Sequence, residues 1–473
     1  MKVIEVLALR ENSKSMSGKV FERSVELPVS ADKAFEWHER PGALERLIPP
    51  WESVTVADRG NGVQDGSCVK LIARVGPIKL PWLAEHHDYN AGHRFRDSQR
   101  SGPFAAWEHL HEFHGVDADN SLLRDRVEYR LPGGVLGSLL GGRFVRRKID
   151  RMFEYRHCTT HADLVAHSKY QGAESMHIAI TGSTGLVGST LVPLLTTGGH
   201  SVTRLVRREA NEGEVTWNPQ AESFDASPLD GIDAVVHLAG ENIANSRWNP
   251  RVKQRLRDSR VVATRTLCEG LARMSTPPKV LVCASAIGYY GDRDEELLAE
   301  ESAPGTSFLA KLVNDWEEAT RPAAEAGIRV VNLRFGVILS PKDGALSKML
   351  LPFKLGVGGR VGSGKQYWSW ISIDDAAGVA HHAIMTEGLV GPVNTVAPNP
   401  ATNIEFTKML GRVLRRPTIF PMPAFAARLA LGEMADELLL ASARVDARKL
   451  LESGYEFRQP TLEAALRHLL GRT

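Results

Sequence analysis

Cysteine is scarce: the 473-residue chain has four, at positions 68, 158, 268 and 283, widely spaced and without a CxxC pair. That excludes a disulfide framework and a zinc knuckle and suits a reducing cytoplasm. An excess of one charge is missing too. With 58 basic against 56 acidic residues there is no general drive toward nucleic acid, and no nucleic-acid partner is expected. No uninterrupted apolar run approaches the length that spans a bilayer. The opening MKVIEVLALRENSKSM is interrupted by Glu5 and Arg10 and lacks a cleavage site, so it does not read as a signal peptide. A chain this long exceeds one ordinary core, and two or three domains are expected.

What the chain does carry is a glycine-rich run, ITGSTGLVG at residues 180–188, placed deep in the sequence just after Met176. HIAIT (177–181) reads as a short buried strand, Gly182, Ser183, Thr184 and Gly185 as a turn, and Leu186 and Val187 onward as a helix. Gly182 permits the tight turn, Gly185 lets backbone N–H groups approach a pyrophosphate, and Gly188 lets the helix pack closely on the strand. A second strand, HSVTRLV, ends at Arg207 and Arg208, where an NAD-binding protein would offer an acidic side chain to the ribose hydroxyls. Two guanidiniums there suit the 2′-phosphate of NADP. GIDAVVHLAG is a third strand, and Leu238, Ala239 and Gly240 after it let the cofactor ribose lie along the backbone. KVLVCASAIGYYG follows the same plan, with Ser285 at the carboxyl end of its strand, where open parallel sheets bind ligands.

The segments TGSTGLVG, HLAGENIANSRW, DSRVVATRTL, SAIGYYGD, FLAKLVNDWE, LRFGVILS, GSGKQYWSWISIDD and NTVAPNP occur in the order of the extended short-chain dehydrogenase/reductase proteins. The chain from 176 to about 470 resembles their atypical epimerase-like subfamily, which ends in a small C-terminal domain of unknown function. The resemblance implies a Rossmann-like, doubly wound parallel sheet over 176–400 and a helical segment over 401–473. It implies that Gly182 to Gly188 and Arg207 hold the dinucleotide, with HLAG along it. It also implies that the region from Arg334 through Gly364, Gln366, Trp370 and Asp374 frames a substrate pocket, with Trp248, Trp368 and Trp370 as either pocket wall or core.

One expected feature is missing. Hydride-transferring relatives use Ser or Thr with a YxxxK pair, the phenol acting as acid or base and the ammonium lowering its pKa. Here alignment on Lys311 puts Ser307 at the phenol position, and Ser307 reads better as the N-cap of the helix FLAKLVNDWEEA; alignment on Glu317 places Leu309 and Val313 at the two positions. The substitutes considered for proton transfer are Tyr289, Tyr290 and Glu241, with Ser285 orienting a substrate oxygen and Lys311 holding the cofactor ribose. Two functions follow: an NADP-dependent oxidoreductase or epimerase with rearranged acid–base groups, or a dinucleotide-binding sensor without turnover.

Residues 19–165 carry none of these signals. KVFERSVEL alternates as a strand up to Pro28, and a helix restarts with Ser30 as N-cap. SCVKLIARVG, HRFRDSQRSG, AAWEHLHEFHGV and LLRDRVEYRL are strand-like. SLLGGRFVRRKIDRMFEY is helical, with Phe144, Ile149, Met152 and Phe153 assigned to one side. This order resembles the α+β helix-grip fold of START-like proteins, including polyketide-cyclase and coenzyme Q carrier relatives, and implies a hydrophobic ligand. His109 and His111 share a strand face, but no third ligand is evident, so no metal is expected. The basic run FVRRKIDR reads as a solvated face. Residues 166–175, AHSKYQGAES, suit a linker.

Overall fold

The computed structural model describes residues 18–170, 172–221 and 223–472; the leader reading of the first sixteen residues lies outside them. The chain divides into two units, with the boundary in sequence between Ala173 and Glu174.

In the first unit β1 (Lys19–Leu27) turns Phe21, Val25 and Leu27 inward and ends before Pro28. Next come α1 (Ala31–Glu39), α2 (Ala43–Leu47), β2 (Val54–Asp58), β3 (Cys68–Val75), β4 (Ile78–Asn90), β5 (Arg94–Ser101), β6 (Ala106–Gly115), β7 (Ser121–Arg130) and α3 (Gly134–Ser168). The strands make one seven-stranded sheet in the order β1-β7-β6-β5-β4-β3-β2, antiparallel at every pairing. This is the helix-grip arrangement. Ser30 stands at the N-cap of α1, yet its side chain makes no capping hydrogen bond.

The long helix α3 reaches Ser168, so the first three residues of the expected linker are helical. It buries Ile149 and Phe153 against Phe21, Trp107, Val127 and Tyr129 of the sheet, with Met152 partly covered. Phe144 departs from the expectation and is 71% exposed. Five residues of helix separate it from Ile149, a rotation of about 140°, which takes it off the buried stripe. It joins Val135, Leu136, Leu139 and Leu140 as exposed apolar residues in the first turns of α3.

The second unit opens with β8 (His177–Thr181), α4 (Gly188–Thr197), β9 (Ser201–Val206), β10 (Glu214–Thr216), β11 (Ala234–His237), α5 (Pro250–Arg257), α6 (Ala263–Ala272) and β12 (Val280–Ala286). After them come β13 (Leu297–Leu298), α7 (Phe308–Glu318), β14 (Arg329–Phe335), β15 (Val337–Leu339), β16 (Tyr367–Trp368), β17 (Trp370–Ser372) and β18 (Gly391–Thr395). Seven strands form a sheet in the order β10-β9-β8-β11-β12-β14-β18, with every pairing parallel. Side chains alternate along each strand, so Ile178 and Ile180 pack on Leu191 and Leu195 of α4, while Ala179 turns to the other face with Leu267 and Leu271 of α6. Helices therefore cover both faces, which is why these strands are short apolar runs rather than alternating ones.

The C-terminal helices belong to this second unit. The buried carboxylate of Asp375 accepts hydrogen bonds from the Ser372 hydroxyl, the Tyr455 hydroxyl and the backbone N–H groups of Arg458 and Gln459, fastening the late segment to the helix Ile373–Met385. All four cysteines are free thiols, and burial pushes Cys268 up to about 12, which makes it unreactive at neutral pH. Among the described residues no helix is long and apolar enough to cross a membrane.

Candidate functional site

Strand order reverses between β8 and β11: the chain leaves β8 for β9 and β10 on one side and returns to β11 on the other. A crevice forms outside the carboxyl ends at such a point, and the glycine turn lies in it. Gly182 has φ +68, and a Cβ there would stand 2.7 to 2.9 Å from backbone atoms of Leu238 and Ala239. Glycine is therefore required twice over, by the left-handed backbone and by the passing HLAG segment. A Cβ on Gly188 would meet the Gly182 carbonyl oxygen at 2.3 Å. The Gly185 N–H donates to that same carbonyl at 2.9 Å, and Thr184 and Gly185 are exposed on the rim. The helix starts at Gly188 rather than Leu186, so Leu186 and Val187 belong to the turn and Ser183 is buried beneath it. The N–H groups of Ser189, Thr190 and Leu191 close back on the Gly185 and Val187 carbonyls, so what faces the turn is the positive end of the α4 dipole rather than a set of unpaired donors.

The third strand is tied down from below. The Thr181 hydroxyl oxygen accepts the N–H groups of Leu238 and Ala239, which fills both lone pairs and sends its proton to His237 Nδ1 at 2.7 Å. His237 is then a neutral Nε2–H tautomer donating to Thr264 Oγ1 at 3.0 Å, an oxygen that also accepts from Trp316 Nε1. Burial lowers this histidine to about 4, so it remains neutral at physiological pH. Gly240 follows, with the Arg260 guanidinium 3.5 Å from the position of a Cβ.

At the end of β9 the two arginines separate. Arg208 makes two 2.7 Å bonds to the Glu214 carboxylate. Arg207 is exposed and makes no ion pair among the described residues.

Around Ser285 the arrangement differs from the expected one. Its hydroxyl donates at 2.5 Å to Glu317, and Arg334 binds both oxygens of that carboxylate at 2.8 Å. Arg334 also donates to the Tyr290 hydroxyl at 2.9 Å and to the Glu300 carbonyl at 3.0 Å, and its guanidinium lies 3.6 Å over the Tyr289 ring. Arg334 is thus a buried brace and not a free anion ligand. Tyr290 is fully buried, gives its proton to Asn394 at 2.6 Å, and is pushed up to about 12 by burial, so it is no proton donor. Tyr289 is half-buried, and its hydroxyl has no hydrogen-bond partner among the described residues.

Lys311 is exposed on α7 and does not join Ser285. Ser307 is the N-cap, accepting the Ala310 N–H, and Glu437 covers the same helix end by accepting the N–H groups of Phe308 and Leu309. Glu241 is held by Arg255 at 3.1 Å. Gln366 donates to the carbonyls of Val361 and Leu439, and Trp370 is fully buried with its N–H on Asn399, so both serve the core. Trp368 is buried, whereas Trp248 is partly exposed and packs edge-on to Phe308. The residue that sequence reasoning passed over is Glu317. It stood in the sequence only as an alignment anchor, because its partners Ser285 and Arg334 lie on other elements.

Residues 178–395 match the family described as NAD dependent epimerase/dehydratase, and 422–469 match a domain of unknown function, DUF1731. An epimerase family protein of Mycobacterium bovis is 46% identical over 290 residues, 61% of this chain and 96% of its own length. The chain belongs to the NAD-dependent epimerase/dehydratase family. Its first unit matches polyketide cyclase/dehydrase and lipid transport over 27–154. The two-unit plan recurs in a structure described as a nucleoside-diphosphate sugar epimerase from Corynebacterium glutamicum, at TM-score 0.78 and 36% identity over 95% of this chain and 90% of that one. A crystal structure of human epimerase family protein SDR39U1 with NADPH matches at TM-score 0.59 and 35% identity, covering 63% of this chain and all of that one.

Proposed function

We propose that the second unit binds NADP(H) and carries out an atypical oxidoreductase or epimerase reaction at the carboxyl edge of β12. The observation that carries this reading is the turn at 182–188 together with the unpaired Arg207, a diphosphate cradle with one free guanidinium where the adenosine ribose would lie. The NADPH of the human relative supports the same choice of cofactor. Ser285 gives its proton to Glu317 and so presents oxygen lone pairs to a substrate hydroxyl. Tyr289, with its free phenol over Arg334, is the candidate proton donor; Glu241 and Lys311 are placed less well, the first by its ion pair and the second by its exposure. Calorimetric titration with NADPH and NADH tests the cofactor: tighter binding of NADPH that disappears in Arg207→Ala supports it, and equal or tighter binding of NADH by the unaltered protein overturns it.

A second reading, a dinucleotide sensor without turnover, is favoured by Glu317 and Val313 occupying the catalytic face of α7, where neither phenol nor ammonium stands. Following reduced-nicotinamide absorbance with carbonyl substrates separates the two. Consumption that falls at least tenfold in Tyr289→Phe supports the enzyme, and binding without consumption supports the sensor. The first unit, on this proposal, holds a hydrophobic small molecule, and the covalent link keeps it at high effective concentration for the second.

A further inference from the structure

The interior of the first unit contains a set of ionisable groups that ligand carriage does not explain. Antiparallel register sets Asp97 on β5 opposite His109 on β6, and His111 on β6 opposite Asp125 on β7. The four form a square on the inner face of the sheet, since directly opposed residues share a face and diagonal ones are within reach. His109 is 2% exposed, His111 7% and Asp125 2%, while the Asp97 side chain retains 18%. His157 of α3 closes the square from above, with Nε2 2.5 Å from Asp125.

Each imidazole stands between two carboxylates. His109 places Nε2 2.9 Å from Asp125 and Nδ1 3.1 Å from Asp97; His111 places Nδ1 2.8 Å from Asp125 and Nε2 3.8 Å from Asp97. A neutral imidazole has one N–H, so when it is turned to Asp125 the other nitrogen directs a lone pair at the Asp97 oxygen. Two lone pairs and an anionic oxygen then converge with nothing between them. His111 sharpens the conflict, because its contact with Asp125 is too bent for a hydrogen bond and leaves a buried nitrogen unsatisfied, while its ring is fixed by stacking on Phe95 at 4.3 Å.

Nearby cations resolve it only in part, since Arg156 acts on Asp97 and Asp125 through its charge without hydrogen-bonding to either. Arg46 is committed to both oxygens of Asp163, and Arg156 gives its Nε to the Leu47 carbonyl and its guanidinium plane to Phe153. His86 pairs in register with Asp97 and turns its Nδ1 toward the Ser67 carbonyl at 3.3 Å, and His38 faces the Ala34 carbonyl at 2.7 Å. A buried carboxylate such as Asp125 costs several kcal/mol unless charge is returned to it, and the largely covered Asp97 adds to that demand.

We propose that Asp97, His109 and His111 bind a divalent transition-metal ion through Oδ2, Nδ1 and Nε2. One ligand atom from each of the three residues lies within 4.8 Å of the others, and the two separations to Asp97 Oδ2 bracket the roughly 3.3 Å expected between tetrahedral ligands at bonds of about 2.0 Å. Asp125 then acts as the outer carboxylate, accepting the Nε2–H of His109 and standing 2.8 Å from Nδ1 of His111, the usual support of a histidine ligand. Two imidazoles with one carboxylate suit zinc or iron(II), and a three-ligand set leaves positions open to water or a substrate oxygen on the partly exposed side of Asp97. The first unit thereby acquires a Lewis-acid centre. The expectation of no metal rested on the want of a third ligand, which Asp97 supplies from the neighbouring strand.

The test uses the full-length, tag-free chain stripped with chelator and titrated with Co²⁺ alone. The expected result is ligand-field absorption that saturates at one equivalent per chain, with a rise in Tm on loading. Asp97→Asn and His111→Gln should each weaken binding at least tenfold, whereas His114→Gln, on the exposed end of the same strand, should leave it unchanged. Absence of saturable absorption in the unaltered protein overturns the proposal whatever the variants do, because it means that protons alone balance the square. Co²⁺ binding that persists undiminished in a folded Asp97→Asn chain overturns it as well.

Discussion

The two units place polar chemistry in opposite positions. In the Rossmann-like unit the sheet interior is largely apolar, with Ile178, Ile180, Val236, Val282 and Val331 all fully buried, and the proposed cofactor site lies at the carboxyl edge beside the glycine turn. In the helix-grip unit His109, His111 and Asp125 stand on the inner face of the sheet itself, with His157 of α3 above them. A parallel sheet covered on both faces has no room for unpaired charge, so its ligands must be met at strand ends. A sheet covered on one face by a single long helix can turn side chains inward around a site. The proposed site rests on glycine backbone in one unit and on side-chain register in the other.

The sharpest way to break this comparison is at Gly188. Gly188→Val drives a side chain into the Gly182 carbonyl, and NADPH affinity measured by calorimetry should fall by about a hundredfold or more, ~3 kcal/mol. Next is a buried ion pair behind the edge of the Rossmann-like unit. Glu317→Gln strands the buried Arg334 and should cost about 3 kcal/mol in chemical denaturation, whereas the double change Glu317→Leu with Arg334→Met should recover much of that loss.

A smaller effect concerns pH. His237 titrates near 4 in the folded chain and near 6.5 when unfolded, so between those values the unfolded state binds more protons. The stability that this group contributes is fully present above about 6.5 and is lost as pH falls toward about 4, by up to about 3 kcal/mol at the limit. Unfolding curves across that range should show this slope, and His237→Gln should flatten it in part. The smallest contrast divides the neighbouring arginines. Arg207→Ala should reduce the preference for NADPH over NADH by about tenfold, while Arg208→Ala, whose partner is Glu214, should leave that preference nearly intact.

How much was legible in the sequence followed the range of the interaction. The turn at 182–188 was readable because all its constraints lie within seven residues, and Ser307 was readable as a cap because capping involves the next three residues. Boundaries slipped by a residue or two, as with α4 beginning at Gly188. The strand β4 carried a weaker signal, since Pro81 interrupts it; the structure tolerates that proline because pairing with β5 begins only at Leu83. Arg334, Gln366 and Trp370 were assigned to a substrate pocket, and what redirected them was burial and partners from distant segments. Glu317 lies on α7 and Arg334 on β14, and no local pattern joins them.

The family, the order of its two folds and the glycine cradle were already determined by residue types at short spacing, because steric limits on backbone turns and the alternation of apolar residues act locally. Only the tertiary structure decided that Arg334 braces Glu317, that Tyr289 and not Tyr290 keeps a free phenol, and that Asp97 and Asp125 flank two histidines. Those outcomes depend on strand register and helix packing, which bring together groups far apart in the chain, and the energy of a buried charge depends on which partner it meets there.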